Sequence, residues 1–176
     1  MLIVFRVCIF LLILQPATTW RSSAEPVRWG GNGHLYEVRY DPAGLSWPQA
    51  LLRSQSLGCG WYLVTITSPA ENDFVFRLAA QRPEVFDAAG GSGPWLGAFQ
   101  KNALSEPAGN WRWVTEEPFS YTNWNSGEPN NSGDEAFLNS YRRGTWNDSA
   151  GRYAVTVKGF IVEFDEARRA ACRSRG

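Results

Sequence analysis

The sequence contains little of the chemistry on which most metal centres and nucleophilic enzymes depend. Among its 176 residues are one histidine, one methionine and three cysteines. A zinc site takes several nitrogen or sulfur ligands, and a Ser-His-Asp triad uses histidine as its base. Lysine plus arginine and aspartate plus glutamate each total 17, so the chain also lacks the basic surplus with which proteins bind nucleic acids. These absences argue against a zinc centre, a triad hydrolase and a nucleic-acid-binding protein.

Aromatic residues and glycine are abundant instead. The chain has nine Trp, ten Phe, six Tyr and 17 Gly, and 44% of its residues are hydrophobic. This composition provides enough apolar material for a packed core, and it suits a loop-rich fold better than a helical bundle.

The two ends of the chain differ from the segment between them. The hydrophobic run in residues 1–14 carries one charge, Arg6, and stops at Gln15 and Pro16. It falls short of the roughly 20 apolar residues of a membrane span. We therefore predict a signal peptide over 1–24 and a secreted protein, with a short membrane anchor as the alternative. Residues 166–176 are polar and basic and are expected to form a flexible tail.

The predicted domain covers residues 25–165 and is acidic. It contains 11 Lys and Arg against 16 Asp and Glu, a net charge of −5. Ser46 and Ser68 each precede a helical pattern as N-cap residues, and Pro69 and Glu71 strengthen the second start. The chain after Gly90 alternates short strand patterns with loops. The predicted fold class is α+β: two helices followed by several short antiparallel strands.

A long polar loop and the strand that follows it contain a set of oxygen-bearing side chains. Carboxylates and amide carbonyls are the ligands that calcium prefers, and a cis Glu128–Pro129 bond would turn the neighbouring side chains to one side of the loop. From these residue types we predict a Ca²⁺ site. Its candidate ligands are Glu128, Asn130, Asp134, Asn147 and Asp148.

Two other interpretations of the loop compete with calcium. Asn, Asp, Gly and Pro are ordinary turn formers, so the segment can be a solvated loop. In addition, Asn130-Asn131-Ser132 and Asn147-Asp148-Ser149 match the acceptor pattern for N-glycosylation. A glycan on Asn130 or Asn147 would occupy a proposed ligand.

Many short motifs occur together in an order that resembles the C-type lectin domain. The resemblance covers roughly residues 33–165. Its motifs are Trp95-Leu96-Gly97, Trp111-Arg112-Trp113, Glu128-Pro129-Asn130, Trp146-Asn147-Asp148 and Gly159-Phe160-Ile161-Val162-Glu163. The resemblance implies a fold of two helices, two small antiparallel sheets and a long calcium-binding loop region.

The same resemblance implies a function and assigns residues to it. In this family the Glu-Pro-Asn and Trp-Asn-Asp segments supply ligands of the principal calcium ion, and the sugar binds that ion through two vicinal hydroxyls. Glu128 and Asn130 correspond to the mannose-type motif, so the implied partners are mannose-type glycans, bound by the metal ligands themselves. The remaining acidic ligand is assigned to Asp134, with Glu135 as the alternative.

The chain departs from the family pattern at the cysteines. Ser54 and Val162 stand where one family disulfide is expected, and Ala136 and Gly151 stand near the other. Cys59 lies outside those positions. We therefore expect a divergent member that lacks the usual disulfides, with Cys59 as an unreactive thiol.

The remaining aromatic residues fall into two groups, and two other functions compete with sugar binding. Trp95, Trp111 and Trp113 are expected in the core, whereas Tyr121, Trp124 and Tyr141 are candidates for sugar contacts. A protein-binding or structural module that has lost sugar binding is the main alternative function. An enzyme with Glu128 and Asp148 as an acid–base pair is disfavoured, because calcium ligation would compete with that role. The lone His34 is expected at a strand edge.

Overall fold

The computed structural model describes residues 25–87, 92–101, 106–151 and 157–174; the predicted leader lies outside these ranges. The described residues form three α-helices, one short 3-10 helix and eight β-strands. None of these helices is both long and apolar enough to cross a membrane. The elements are β1 (Val27–Arg28), β2 (Leu35–Tyr40), α1 (Trp47–Ser56), β3 (Trp61–Leu63), α2 (Pro69–Ala80), the 3-10 helix Pro83–Val85, β4 (Ser92–Gln100), β5 (Trp111–Trp113), β6 (Phe137–Tyr141), β7 (Trp146–Ser149), β8 (Gly159–Phe164) and α3 (Glu166–Arg173).

The first two helices begin where the sequence predicts. Ser46 caps α1: its hydroxyl accepts a hydrogen bond from the Gln49 amide, and the Gln49 side chain accepts one from the Ser46 amide at 2.8 Å. Ser68 caps α2 in the same way through the Glu71 amide. These side chains satisfy backbone donors that a helix start otherwise leaves without partners.

The strands form one sheet with the order β1-β2-β8-β4-β6-β7, in which β3 also pairs with β8 and β5 with β4. All of these pairings are antiparallel except β4 with β8. The predicted α+β class is therefore confirmed, with the strands in one sheet where two small antiparallel sheets were expected. Strand β3 ends at Leu63, where the chain leaves the ladder: the Val64 amide donates to the Ile161 carbonyl, and the Gly97 amide donates to the Val64 carbonyl.

Large aromatic side chains fill the core on both sides of this sheet. Trp95, Trp113 and Trp146 are fully buried and Trp111 is 6% exposed, which confirms the core prediction for Trp95, Trp111 and Trp113. A Cβ at Gly97 would lie 2.5 Å from the Leu63 carbonyl oxygen, so only glycine lets β4 approach that segment this closely.

A network of buried polar side chains joins helix α2 to strands β2 and β8. Glu71 and Glu163 are 2% and 1% exposed, and the Tyr36 hydroxyl lies 2.6 Å from Glu71 and 3.1 Å from Glu163. The Glu163 carboxylate also pairs with His34 Nδ1 at 2.6 Å and accepts from the Thr65 amide at 3.1 Å. His34 is therefore an ion-pair partner and not the unremarkable edge residue that its position in the sequence suggests.

The C-terminal segment differs from the expected flexible tail. Residues Glu166–Arg173 form helix α3, which is capped by Asp165 and buries none of its own residues. Cys172 on this helix forms a disulfide with Cys59, so the expectation that Cys59 is an unreactive thiol is wrong, and the domain has a disulfide outside the usual family positions. The bond joins the segment after α1 to the segment after the last strand, so it covers the same two regions as the missing pair at Ser54 and Val162.

Candidate functional site

The predicted ligands come from two neighbouring parts of the fold. Glu128, Asn130 and Asp134 lie in the long loop between β5 and β6, whereas Asn147 and Asp148 lie on β7. Strands β6 and β7 pair in antiparallel register, with Asn147 opposite Asn139. Because the loop returns into β6, it passes beside β7 at these residues.

Asp148 holds the loop against the strand. Its side chain is fully buried. Its carboxylate accepts hydrogen bonds from the Asn130 amide at 3.0 Å and from the Asn131 amide at 2.7 Å. Charge-assisted bonds from two consecutive amides fix the backbone of the Glu128-Pro129-Asn130 motif relative to β7.

Glu128 and Asn130 face each other across the intervening proline. The Glu128–Pro129 peptide bond is cis, the isomer that would turn the neighbouring side chains to one side of the loop. Asn130 Nδ2 donates to Glu128 Oε2 at 2.5 Å, and Asn130 Oδ1 accepts from the Ser132 amide at 2.7 Å. The structure thus brings these two predicted ligands into direct contact.

A chain of amide and hydroxyl groups orients Asn147. The Tyr141 hydroxyl donates to Asn147 Oδ1 at 2.9 Å and lies 3.4 Å from Glu128 Oε1. On its other side, Asn147 Nδ2 donates to Asn139 Oδ1 at 3.0 Å, and Asn139 Nδ2 donates to Ser92 Oγ at 2.7 Å. The carbonyl of Asn147 therefore faces Tyr141 and Glu128, while its nitrogen, the atom to which a glycan would attach, is occupied in the sheet.

Asn139 and Tyr141 also belong to the candidate site, although the sequence does not predict either as a residue that orients a ligand. Tyr141 is predicted only as a possible sugar contact, and Asn139 is not predicted at all. The available signal was their alternation on β6, since Asn139 and Tyr141 face the same side as Asn147 across the hairpin. The other two aromatic candidates pack inward: Tyr121 and Trp124 lie against Trp146, with ring centroids 5.5 and 5.9 Å away.

Asp134 and Glu135, the predicted third acidic ligand and its alternative, differ in exposure and in contacts. Asp134 is exposed, with a left-handed backbone (φ 68°), and among the described contacts none joins it to the other four residues. Glu135 is half-buried, its amide donates to Asn131 Oδ1 at 2.8 Å, and its carboxylate accepts from the Ser132 amide at 2.9 Å. The alternative residue, Glu135, is thus the one that shares the surroundings of Asp148 and Glu128.

Two carboxylates of this cluster, Glu128 and Glu135, have a raised affinity for protons. Burial, followed by the neighbouring Asp148, raises the pKa of Glu128. Burial, followed by the charges of Asp148 and Glu128, raises the pKa of Glu135 to about 7. Within the described ranges no Lys or Arg forms an ion pair with Glu128, Glu135 or Asp148, so none of the described basic residues balances their charge through an ion pair.

The donor set fits a hard divalent cation. Its atoms are carboxylate and amide oxygens, without sulfur or imidazole, which is the chemistry of calcium sites. In the part of the chain that the structure describes, no three Asp, Glu, His or Cys side chains are already arranged as a metal-binding group. In this arrangement Asn130 turns its nitrogen toward Glu128, and backbone amides donate to oxygens of Asp148 and Glu135.

Comparison with known proteins assigns the family. Residues 44–156 match the family model described as Lectin C-type domain. Among curated relatives, the chain is 35% identical to ladderlectin of Oncorhynchus mykiss over 109 residues, which are 58% of this chain and 50% of that protein. It is 35% identical to a perlucin-like protein of Mytilus galloprovincialis over 98 residues, 54% of this chain and 55% of that protein. The chain thus spans about half the length of these relatives.

Solved structures agree with this assignment. The cow C-type carbohydrate-recognition domain of CD23, determined in the presence of GlcNAc2Man3 oligosaccharide, is 26% identical with a TM-score of 0.57, over 74% of this chain and 86% of that one. The EPNH mutant of CEL-I, a lectin from Cucumaria echinata, is 25% identical with a TM-score of 0.60, over 86% and 97% of the two chains. Since the family model covers more than half of the sequence, the chain belongs to the C-type lectin domain family.

Proposed function

We propose that this domain binds sugars through a calcium ion held by strand β7 and by the long loop between β5 and β6, which we call the acidic loop. The observation that carries the proposal is the cluster of Glu128, Glu135 and Asp148, which lies partly or fully out of water and forms no ion pair with a basic residue of the described ranges. Several carboxylates in such a place are unfavourable unless they are protonated or bind a cation. Amide oxygens from Asn130 and Asn147 complete a set of oxygen ligands.

The chain's own residues prepare most of this site. Asp148 fixes the loop backbone through two amides, and Tyr141 and Asn139 set the orientation of Asn147. Rotation of the Asn130 side-chain amide would place its oxygen, in place of its nitrogen, beside Glu128. Bound calcium would supply a Lewis-acidic centre with places for two hydroxyl oxygens, and the function is binding without a chemical step.

The third acidic ligand is the point at which geometry and sequence position disagree. Motif position favours Asp134, whereas burial and the charges that act on it favour Glu135. The matched pair Asp134→Asn and Glu135→Gln separates them, because each change removes one charge and keeps the shape. We expect Glu135→Gln to weaken calcium binding about tenfold or more and Asp134→Asn to change it little. The reverse order in calorimetric titrations would return the assignment to Asp134.

The order of carboxylate and amide supports a preference for mannose-type sugars. Glu128 can accept a hydrogen bond from a hydroxyl, whereas the side-chain nitrogen of Asn130 can donate to one, so the pattern selects one arrangement of vicinal hydroxyls. The double change Glu128→Gln with Asn130→Asp reverses acceptor and donor while conserving charge. We expect mannose to bind the native domain more tightly than galactose on a glycan array, and the double variant to shift toward galactose. Tighter galactose binding by the native domain would contradict the preference.

We also propose that the protein is secreted. The Cys59–Cys172 disulfide is the supporting observation, because such bonds persist mainly in oxidising compartments. The hydrophobic run in residues 1–14 is consistent with a cleaved leader. N-terminal sequencing of protein recovered from the medium tests the proposal; recovery of the full chain in the membrane fraction would favour the anchor.

A further inference from the structure

A cavity of about 620 Å³ lies far from the acidic loop, at the opposite edge of the sheet. Strands β1, β2, β3 and β8 contribute to its walls, together with the turn after α1 and helix α3. The half-buried side chains of Leu35, Leu57, Trp61 and Phe164 give it an apolar lining. Nothing in the proposed calcium site uses this region.

The charged groups of the cavity are mostly arginines. Arg28, Arg169 and Arg173 line it together with a single acid, Glu166, which leaves a net charge of +2 in a chain whose domain is acidic. Arg169 Nη1 lies 3.4 Å from both carboxylate oxygens of Glu166, which is a long contact between exposed groups. Arg28 Nη1 donates to the Gly33 carbonyl, and the Arg169 guanidinium lies 6.0 Å from the centroid of the Phe164 ring. Among the described residues no hydrogen bond or ion pair is recorded for the Arg173 side chain. Arg169 and Arg173 therefore keep most of their donors open to a ligand.

Helix α3 is attached to the domain at both ends although it buries none of its residues. Arg168 donates to the Thr115 carbonyl at 3.1 Å and lies 5.2 Å from the centroid of the Tyr62 ring. The disulfide joins the far end of the helix to Cys59 through Cys172. A polar helix of eight residues is not stable by itself in water. These contacts therefore stabilise the helix and place Arg169 and Arg173 at the cavity.

We propose that this cavity binds the sulfate or carboxylate groups of an acidic glycan. The forked guanidinium groups match such oxyanions through paired hydrogen bonds, and the half-buried Trp61 offers a flat face to a sugar ring. The choice of a glycan rests on the proposed sugar-binding function, whereas the oxyanion site needs no calcium. With both the calcium site and this cavity, one domain would bind the end of a glycan and an anionic group at separate places.

The test measures binding of a sulfated oligosaccharide, its desulfated counterpart and inorganic sulfate in excess chelator, so that failure of the calcium site cannot affect the result. We expect calcium-independent binding of the sulfated oligosaccharide that weakens about tenfold in the double variant Arg169→Gln/Arg173→Gln. The matched control is Arg77→Gln/Arg112→Gln, which removes the same charge from exposed residues elsewhere and should bind as the native domain does. An unchanged thermal unfolding transition in chelator shows that a variant is folded.

Several outcomes would overturn the proposal. An equal loss in both double variants would mean attraction by general charge alone. Binding of inorganic sulfate as tight as that of the oligosaccharide would reduce the cavity to an adventitious ion site, and no binding of either would remove it. Arginine-dependent binding of anionic phospholipid vesicles without binding of the sulfated oligosaccharide would assign the cavity to a membrane surface instead.

Discussion

Two clusters of carboxylates in this domain differ in how their buried negative charge is balanced. In the interior, Glu163 and Glu71 are almost fully buried, yet hydroxyls, backbone amides and His34 surround them with donors. In the acidic loop, Glu128 and Glu135 are less buried but have fewer donors and no basic partner. Buried charge is tolerable when the protein itself balances it. The first cluster therefore has a structural role, whereas the second is the one for which we propose an outside cation.

The largest expected effect separates the two clusters directly. Glu163→Gln removes an acceptor that serves His34 and Tyr36 or Thr65, and it should lower the free energy of unfolding by about 3 kcal/mol, with calcium or without it. Asp148→Asn should cost about 1 kcal/mol without calcium but remove the stabilisation that calcium gives. Chemical denaturation with calcium and with chelator measures both. A calcium-dependent effect of Glu163→Gln would blur the distinction.

The disulfide should affect stability strongly and the calcium site little. Cys59 and Cys172 are 113 residues apart, so the bond restricts a long stretch of the unfolded chain. The double change Cys59→Ser/Cys172→Ser should lower the free energy of unfolding by about 2–4 kcal/mol. Calcium affinity, measured by calorimetry at a temperature where both proteins are folded, should stay unchanged. A parallel loss of calcium affinity would show that α3 supports the acidic loop.

A smaller effect tests how Asn147 is oriented. Tyr141→Phe removes the hydroxyl that donates to Asn147 Oδ1 and keeps the ring. Groups that orient a metal ligand typically contribute tenfold or more to affinity, so we expect calcium binding to weaken about tenfold. The unfolding transition in chelator should move little, because the hydroxyl belongs to the loop site. Unchanged calcium affinity would mean that the sheet alone orients Asn147.

The smallest expected effect concerns pH and the interior cluster. The hydrogen bond to Glu163 and the nearby charges of Glu163, Asp165 and Glu117 raise the pKa of His34 despite its burial. A raised histidine pKa gives stability that is present below the unfolded value of about 6.5 and is lost as pH rises through the folded value. His34→Gln should flatten this decline, worth on the order of 1 kcal/mol. Melts of both proteins in chelator from pH 6 to pH 9 measure it; parallel curves would exclude His34.

The sequence predicts best those features that local interactions determine. Ser46 and Ser68 begin their helices because each cap bonds within four residues, and the Trp motifs are buried because each is large and apolar. Helix α3 could not be predicted from its own residues, because a distant cysteine stabilises it. The pairing of His34 with Glu163 spans 129 residues and leaves no local signal.

In the candidate site, residue types were predictable and their exact roles were not. The oxygen-bearing side chains and the Glu128-Pro129-Asn130 motif indicate which loop forms the candidate site, and Asp148 lies beside that loop on β7. The choice between Asp134 and Glu135 depends on a left-handed backbone at Asp134 that turns its side chain to solvent. Such a turn depends on loop packing, so motif position alone could not settle it.

The central claim is that calcium completes the acidic loop and thereby creates the sugar site. Its most direct test is calorimetric titration of the domain with mannose in excess calcium and in excess chelator, with Glu128→Gln as the control variant. We predict binding of mannose only with calcium, loss of that binding in Glu128→Gln, and a thermal transition several degrees higher when calcium is present. Mannose binding of equal strength in chelator, or identical thermal transitions with and without calcium, would contradict the account.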